Sequence, residues 1–234
     1  MEDDQILILN IILIESALEL IPKELWDHPA VLKNARRRGK KPGEVLLDTS
    51  LHYHAMKKLK DREKRGRPDI IHISLLNALS SPLNIEGKLR IYVHTINDYI
   101  IFIRPDTRIP RNYQRFVGLI EQLFKEGKVP PNSQQPLLYI KDMSLPEFLD
   151  TMGKKLLLLS ETGTLVSPDR VIDEALSKDY IIGIGGFPHG DFSKYIYELA
   201  DKVYSIYPKP LDTWIVVSRI IEACERKIGL YKSL

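Results

Sequence analysis

Tyr180-Ile181-Ile182-Gly183-Ile184-Gly185-Gly186-Phe187-Pro188-His189-Gly190-Asp191 carries an apolar, β-branched run straight into a loop with three further glycines. A short buried strand (Tyr180–Ile184) followed by such a loop, another strand and a helix is the order of elements expected around a small-molecule site. Two familiar phosphate motifs can be tested against it. A dinucleotide fingerprint opening at Gly183 needs a third small residue at position 188, where Pro188 stands. A phosphate-cradling loop spanning Gly185 and Gly190 needs Lys and then Ser or Thr, but Asp191 and Phe192 follow, and a carboxylate there repels a triphosphate.

What remains is a loop with exposed backbone groups, room for close approach and tolerance of negative charge. S-adenosylmethionine suits that combination, because its sulfonium is cationic and its adenine can be read by backbone N–H and C=O groups. A plain strand-to-helix turn that needs positive φ is the alternative. Further on, Ser205-Ile206-Tyr207-Pro208-Lys209-Pro210-Leu211 leads to the last helix. Two prolines two apart stiffen it and remove two N–H donors, which suits either a clamp for a flat heterocycle or an ordinary rigid connection.

Outward from these loops the pattern is mixed α/β. Strands are predicted at Ile6–Leu13, Val45–Leu47, Leu156–Leu159 and Val203–Ile206, and a hairpin at Leu89–Val93 and Tyr99–Ile103 joined by His94–Asp98. In Tyr113–Lys125 the positions of Phe116, Leu119, Ile120, Leu123 and Phe124 predict an amphipathic helix stopped by Gly127. The last helix has Asp212 as N-cap, a stripe of Trp214, Val217, Ile221 and Cys224, and Gly229 at its end. Pro130–Gln135 reads as a linker between two halves, within one 234-residue domain that carries a basic insertion at about 43–82.

Charge is distributed unevenly. Residues 1–32 hold one Lys against seven acids, residues 33–67 hold 13 Lys or Arg against four acids, and residues 104–115 hold four Arg against one Asp. Positive potential concentrated in this way attracts polyanions, although Lys57–Lys64 alone reads equally well as a solvated loop. One cysteine excludes an internal disulfide framework and points to a reducing, intracellular setting. No stretch reads as a targeting signal or membrane span, so a soluble protein is expected.

Arg67-Pro68-Asp69, then Arg108-Ile109-Pro110-Arg111-Asn112-Tyr113-Gln114-Arg115-Phe116, then Gly185 to Gly190, then Ser205 to Leu211 together resemble the ribosome-biogenesis pseudouridine N1-methyltransferases of archaea and eukaryotes. That family belongs to the SPOUT, or α/β-knot, superfamily, and the Arg-Ile-Pro-Arg block is the most specific part of the match. The resemblance implies a parallel-sheet α/β methyltransferase fold whose C-terminal segment forms a trefoil knot, an exception to the rule against knotted chains. It also implies a cytoplasmic homodimer that uses S-adenosyl-L-methionine to methylate N1 of a pseudouridine in a loop of small-subunit (16S) rRNA, with ribosomal proteins as further partners. Gly185, Gly190, Ile206, Tyr207, Pro208, Lys209, Pro210 and Leu211 would line the cofactor pocket, with the region around Thr162 as a wall. Arg67, Arg108, Arg111 and Arg115 would contact RNA.

The spacing adds physical expectations. Arg111 and Arg115, four apart at a helix start with Arg108 one turn before, should project along one side, where guanidiniums suit phosphates or splayed bases. The alternative is a surface cluster paired with acids elsewhere. Asp69 can orient Arg67 by a charge-assisted hydrogen bond, act as a base on the target N1–H, or cap the next helix; the orienting role is favoured, because methyl transfer depends on in-line approach. His52, His54 and Asp48 read as a polar face, not a metal site, and no metal is expected. His189 shapes its turn and Cys224 packs in the core. The rival function is a non-catalytic rRNA-binding assembly factor that uses the same arginine surface.

Overall fold

The computed structural model describes residues 7–231. Within them lie strands β1 (Leu9–Ser16), β2 (Leu89–Thr95), β3 (Tyr99–Ile103), β4 (Lys128–Val129), β5 (Leu138–Asp142), β6 (Leu156–Leu165), β7 (Ile181–Gly185) and β8 (Ala200–Ser205). They form one sheet in the order β4-β5-β3-β2-β1-β7-β6-β8. From β2 to β8 neighbours run parallel, and β3, β4 and β5 extend the sheet antiparallel.

The central strands are continuous apolar runs because both their faces are covered. In β1 the period of two sends Leu9, Ile11 and Leu13 into one core and Ile12 and Ile14 into the other. β6 divides in the same way, Leu157 and Leu159 against Leu156 and Leu158. The helices are α1 (Pro29–Arg37), α2 (Thr49–His52), α3 (Pro68–Leu79), α4 (Pro82–Ile85), α5 (Tyr113–Glu126), α6 (Leu145–Met152), α7 (Pro168–Ser177), α8 (Lys194–Leu199) and α9 (Thr213–Lys227). The first core takes side chains from α3, α5, α7 and α9, and the second from α6 and α8.

The expected hairpin is β2–β3. The predicted helix at Tyr113 is α5, opened by Asn112, whose Oδ1 accepts the Arg115 N–H at 3.1 Å, and closed by Gly127 at φ +74°. On α9, Val217, Ile221 and Cys224 are buried, and burial pushes the Cys224 thiol up to about 11. Asp212 stands at its N-cap without a side-chain bond; the backbone carbonyl accepts from Ile215 and Val216 instead.

Four expectations differ. The first strand starts at Leu9, and Ile6 lies outside the described residues. Val45–Leu47 forms no named strand: Leu46 makes one isolated bridge with Leu20, while Val45 and Leu47 turn into a small core with Ile21, Leu25, Val31 and Met56. Pro130–Gln135 is no linker between halves, since it joins β4 to its antiparallel neighbour β5. The expected 43–82 insertion does not pack as one body: Val45, Leu47, Met56 and Leu59 join the small core, whereas Leu46 and, from α3, Ile70, Ile71, Leu75 and Ala78 join the main one.

Candidate functional site

At one edge of the sheet the ends of β6, β7 and β8 enclose a cleft of about 790 Å³, its mouth included. Gly185, Gly190, Ile206, Tyr207, Lys209, Pro210 and Leu211 line it. Two residues expected there do not. Pro208 is exposed on the stiff loop, and Thr162 is exposed beside the wall, its Oγ1 3.0 Å from Ser160 Oγ. Ser160 and Glu161 face the cleft in place of Thr162. The amides of Tyr207, Lys209 and Leu211 donate to no protein group among the described residues, so the loop presents free N–H donors. Glu161 and Asp191 supply carboxylates to the lining.

An irregularity of β6 builds this wall. Leu159 and Thr164 both register against Tyr204, so the intervening residues bulge out past β8. Gly163 lies flat on the Tyr204 backbone, where an added Cβ would be 2.5 Å from the carbonyl carbon. Tyr197 on α8 ties the bulge to the glycine loop, because its hydroxyl donates to Asp191 Oδ1 at 2.5 Å and lies 2.8 Å from Ser160 Oγ. Within that loop only Gly190 has the positive φ of a glycine-dependent turn, at +93°. Gly186 is glycine because β1 runs against it: a Cβ would meet Ser16 Cα at 2.9 Å.

Below the loop lies a buried ion pair that sequence reading overlooked. Lys64 Nζ meets Glu15 Oε2 at 2.5 Å, donates to the Asp191 carbonyl at 2.7 Å and lies 4.4 Å from the Phe187 ring centre. Glu15 Oε2 also accepts the Ser193 N–H at 3.2 Å. Glu15 is held in the left-handed region, φ +49°, with its N–H directed to His94 Nδ1. Strain of this kind persists only where surrounding contacts over-determine it. The signal in the sequence is Glu15 itself, a carboxylate at the end of an apolar run.

The ion pairs also divide the basic segment. Arg38 and Lys40 serve Glu121, Lys64 serves Glu15, Arg65 serves Glu19 and Arg67 serves Asp69. Lys33, Arg36, Arg37, Lys41, Lys57, Lys58, Lys60 and Arg62 carry no ion pair among the described residues and supply the outward positive field. A second cavity, of about 620 Å³ with its mouth, is lined by Thr49, Tyr53, Met56, Arg62, Glu63, Arg65 and Arg67 together with Pro188 and His189. Pro188 and His189 also line the first cleft, so the two spaces share a wall.

Arg67 stands at the N-cap position of α3 and Asp69 sits in the first turn. Arg67 Nε and Nη2 donate to the two Asp69 oxygens, each at 2.8 Å. Asp69 does not cap the helix. Arg108, Arg111 and Arg115 are exposed and unpaired among the described residues. Only Arg115 is helical, because α5 starts at Tyr113; Arg111 and Arg108 precede the Asn112 cap, so helical spacing does not align the three. His52 and His54 form no common polar face: His54 is exposed, whereas His52 is fully buried and accepts the Asp48 N–H, burial lowering its pKa. Among the described residues no helix is long and apolar enough to cross a membrane.

The EMG1/NEP1 methyltransferase family model matches residues 11–225. Similar chains include the ribosomal RNA small subunit methyltransferase Nep1 of Staphylothermus marinus, 63% identical over 93% of this chain and 95% of that protein. Nep1 of Saccharolobus solfataricus is 49% identical over 94% and 98%. Among solved structures, Archaeoglobus fulgidus Nep1 bound to S-adenosylhomocysteine aligns with a TM-score of 0.84 at 40% identity, covering 94% of this chain and 99% of that one.

Proposed function

The chain belongs to the EMG1/NEP1 methyltransferase family, and from that membership we propose that it is an S-adenosylmethionine-dependent small-subunit rRNA methyltransferase that modifies N1 of a pseudouridine in an RNA loop. The knotted C-terminal segment, the homodimer and a cytoplasmic setting belong to the same proposal. The observation that carries it is the wall of Pro188 and His189 shared by a carboxylate-bearing cleft and an arginine-lined cavity.

The cleft fits the cofactor. Glu161 and Asp191 complement a sulfonium and an ammonium group, and the free amides of Tyr207, Lys209 and Leu211 can read an adenine edge. When bound, the sulfonium supplies an electrophilic methyl group. Across the wall, Tyr53, 57% exposed, offers a stacking face and Arg67 a directed guanidinium. Both Asp69 oxygens accept from Arg67, which supports an orienting role for Asp69 over that of a base. Holding the target nitrogen in line is the main contribution such a site can make.

Methyl transfer onto a short pseudouridine-containing hairpin tests the reading, with a uridine hairpin as control. Transfer to pseudouridine alone is expected, because uridine has no N–H at the corresponding ring atom. Equal transfer to both would refute N1 specificity, and failure to bind S-adenosylhomocysteine in calorimetry would favour the non-catalytic assembly factor. A second expectation concerns the surface. Arg108→Ala with Arg111→Ala should weaken RNA binding and lower the slope of log affinity against log salt by about 0.7 for each phosphate no longer neutralised, while donor affinity is unchanged. Unaltered RNA affinity would remove these arginines from the interface.

A further inference from the structure

We propose that a cavity between α1, α2 and α5 is a second nucleobase pocket, which captures a splayed base one or two nucleotides from the target; the proposal rests on the RNA reading above. The cavity encloses about 460 Å³ with its mouth, and Asn34, Arg37, Leu46, Leu51, Gln114 and Val117 are among its lining residues.

Three features set its chemistry. First, Asn34 is 6% exposed, yet its Oδ1 has no hydrogen-bond partner among the described residues. The Asn34 Nδ2 likewise makes no hydrogen bond among the described residues, so the side chain offers the cavity a free donor. Second, Arg37 and Gln114 are exposed and make no side-chain hydrogen bond or ion pair among the described residues, so five guanidinium donors and an amide stand free beside the opening. Third, Leu46, Leu51 and Val117 give apolar walls, Leu51 being 40% exposed. Arg38, which also lines the cavity, is already paired with Glu121, and both Asp48 oxygens are engaged by Ser50 and Tyr113, so Arg37, Gln114 and the Asn34 amide are the groups left to a ligand. A base has apolar faces for Leu51 and Val117 and edge acceptors for the Arg37 guanidinium and the Gln114 and Asn34 amides.

Position links this pocket to the target site. The single turn of α2 separates the two: Thr49 borders the arginine cavity, and Asp48 and Leu51 border the second pocket. Four helical residues span about 6 Å, a step that neighbouring nucleotides of an unstacked loop can bridge. Tyr113 braces the partition, its hydroxyl donating to Asp48 Oδ2 at 2.6 Å. Burial first, then Asp48 and Asp69, hold the Tyr113 phenol far above its ordinary pKa, so it remains a donor.

The test is a cycle between protein and RNA. Loop nucleotides of a pseudouridine hairpin are replaced one at a time by abasic residues, and binding is measured for the wild-type chain and for Gln114→Ala with Arg37→Ala, both surface changes that leave the core intact. In the wild type an abasic residue near the target is expected to weaken binding about tenfold. In the variant the same RNA change should cost less than about twofold, while the penalty for an abasic target is retained in full. Identical penalties in variant and wild type at every position overturn the second pocket and leave the methyltransferase reading standing. Absence of RNA binding by the wild type overturns both.

Discussion

Gly163→Ala is expected to destabilise the protein by about 3 kcal/mol and to weaken S-adenosylhomocysteine binding more than tenfold. The added Cβ would stand 2.5, 2.7 and 2.8 Å from the carbonyl carbon, N and Cα of Tyr204. Carbon atoms in contact prefer about 3.5–4.0 Å, and none of these three can swing aside as a side chain can. Relief requires β6 and β8 to part where the bulge carries Ser160 and Glu161 into the cleft. The damage therefore reaches stability and donor binding together. Gly118→Ala is the control: it lies in α5, its added Cβ meets nothing within 4 Å, and it should stabilise by about 0.5–1 kcal/mol. Urea denaturation and calorimetry decide the matter, and a Gly163→Ala protein as stable and as competent in donor binding as Gly118→Ala would show that the two strands are not locked there.

Lys64→Met should cost about 3–5 kcal/mol, since it removes one partner of a buried pair and leaves the other charge uncompensated. Lys64 is 8% exposed and Glu15 4%. The methionine preserves apolar bulk but loses the bond to the Asp191 carbonyl and the cation over Phe187, so the glycine loop should also bind the donor less well. Adding Glu15→Gln to Lys64→Met should recover much of the stability, because no unpaired carboxylate remains, while donor affinity stays low. Recovery of both together would mean that Lys64 acts on the fold alone and not on the shape of the cleft. A Lys64→Met protein with wild-type stability would remove the buried pair from the account.

These residues also separate what was readable before folding from what was not. β1, β7 and the first half of β6 announce themselves by their apolar runs, Ile11–Ile14, Ile181–Ile184 and Leu156–Leu159, and α5 and α9 by a stripe every three to four residues. The loops at Gly185–Gly190 and Ser205–Leu211 stand out because glycine and proline act on the backbone at their own positions. Arg67 and Asp69, two apart, meet through local geometry, which spacing can suggest. The line of Arg108, Arg111 and Arg115 did not follow, because the Asn112 cap starts the helix after two of them.

Sequence by itself determined the α/β class, the two site loops and the concentration of positive charge, because each depends on periodicity, backbone preference or composition within a few neighbours. Only the tertiary structure decided that Lys64 pairs with Glu15, that Gly163 must lie against Tyr204, and that Asn34 shares a cavity with Gln114. Those partners lie far apart along the chain. Which of them meet is set by the order in which strands join the sheet and by where each connection crosses it, information that no local pattern carries.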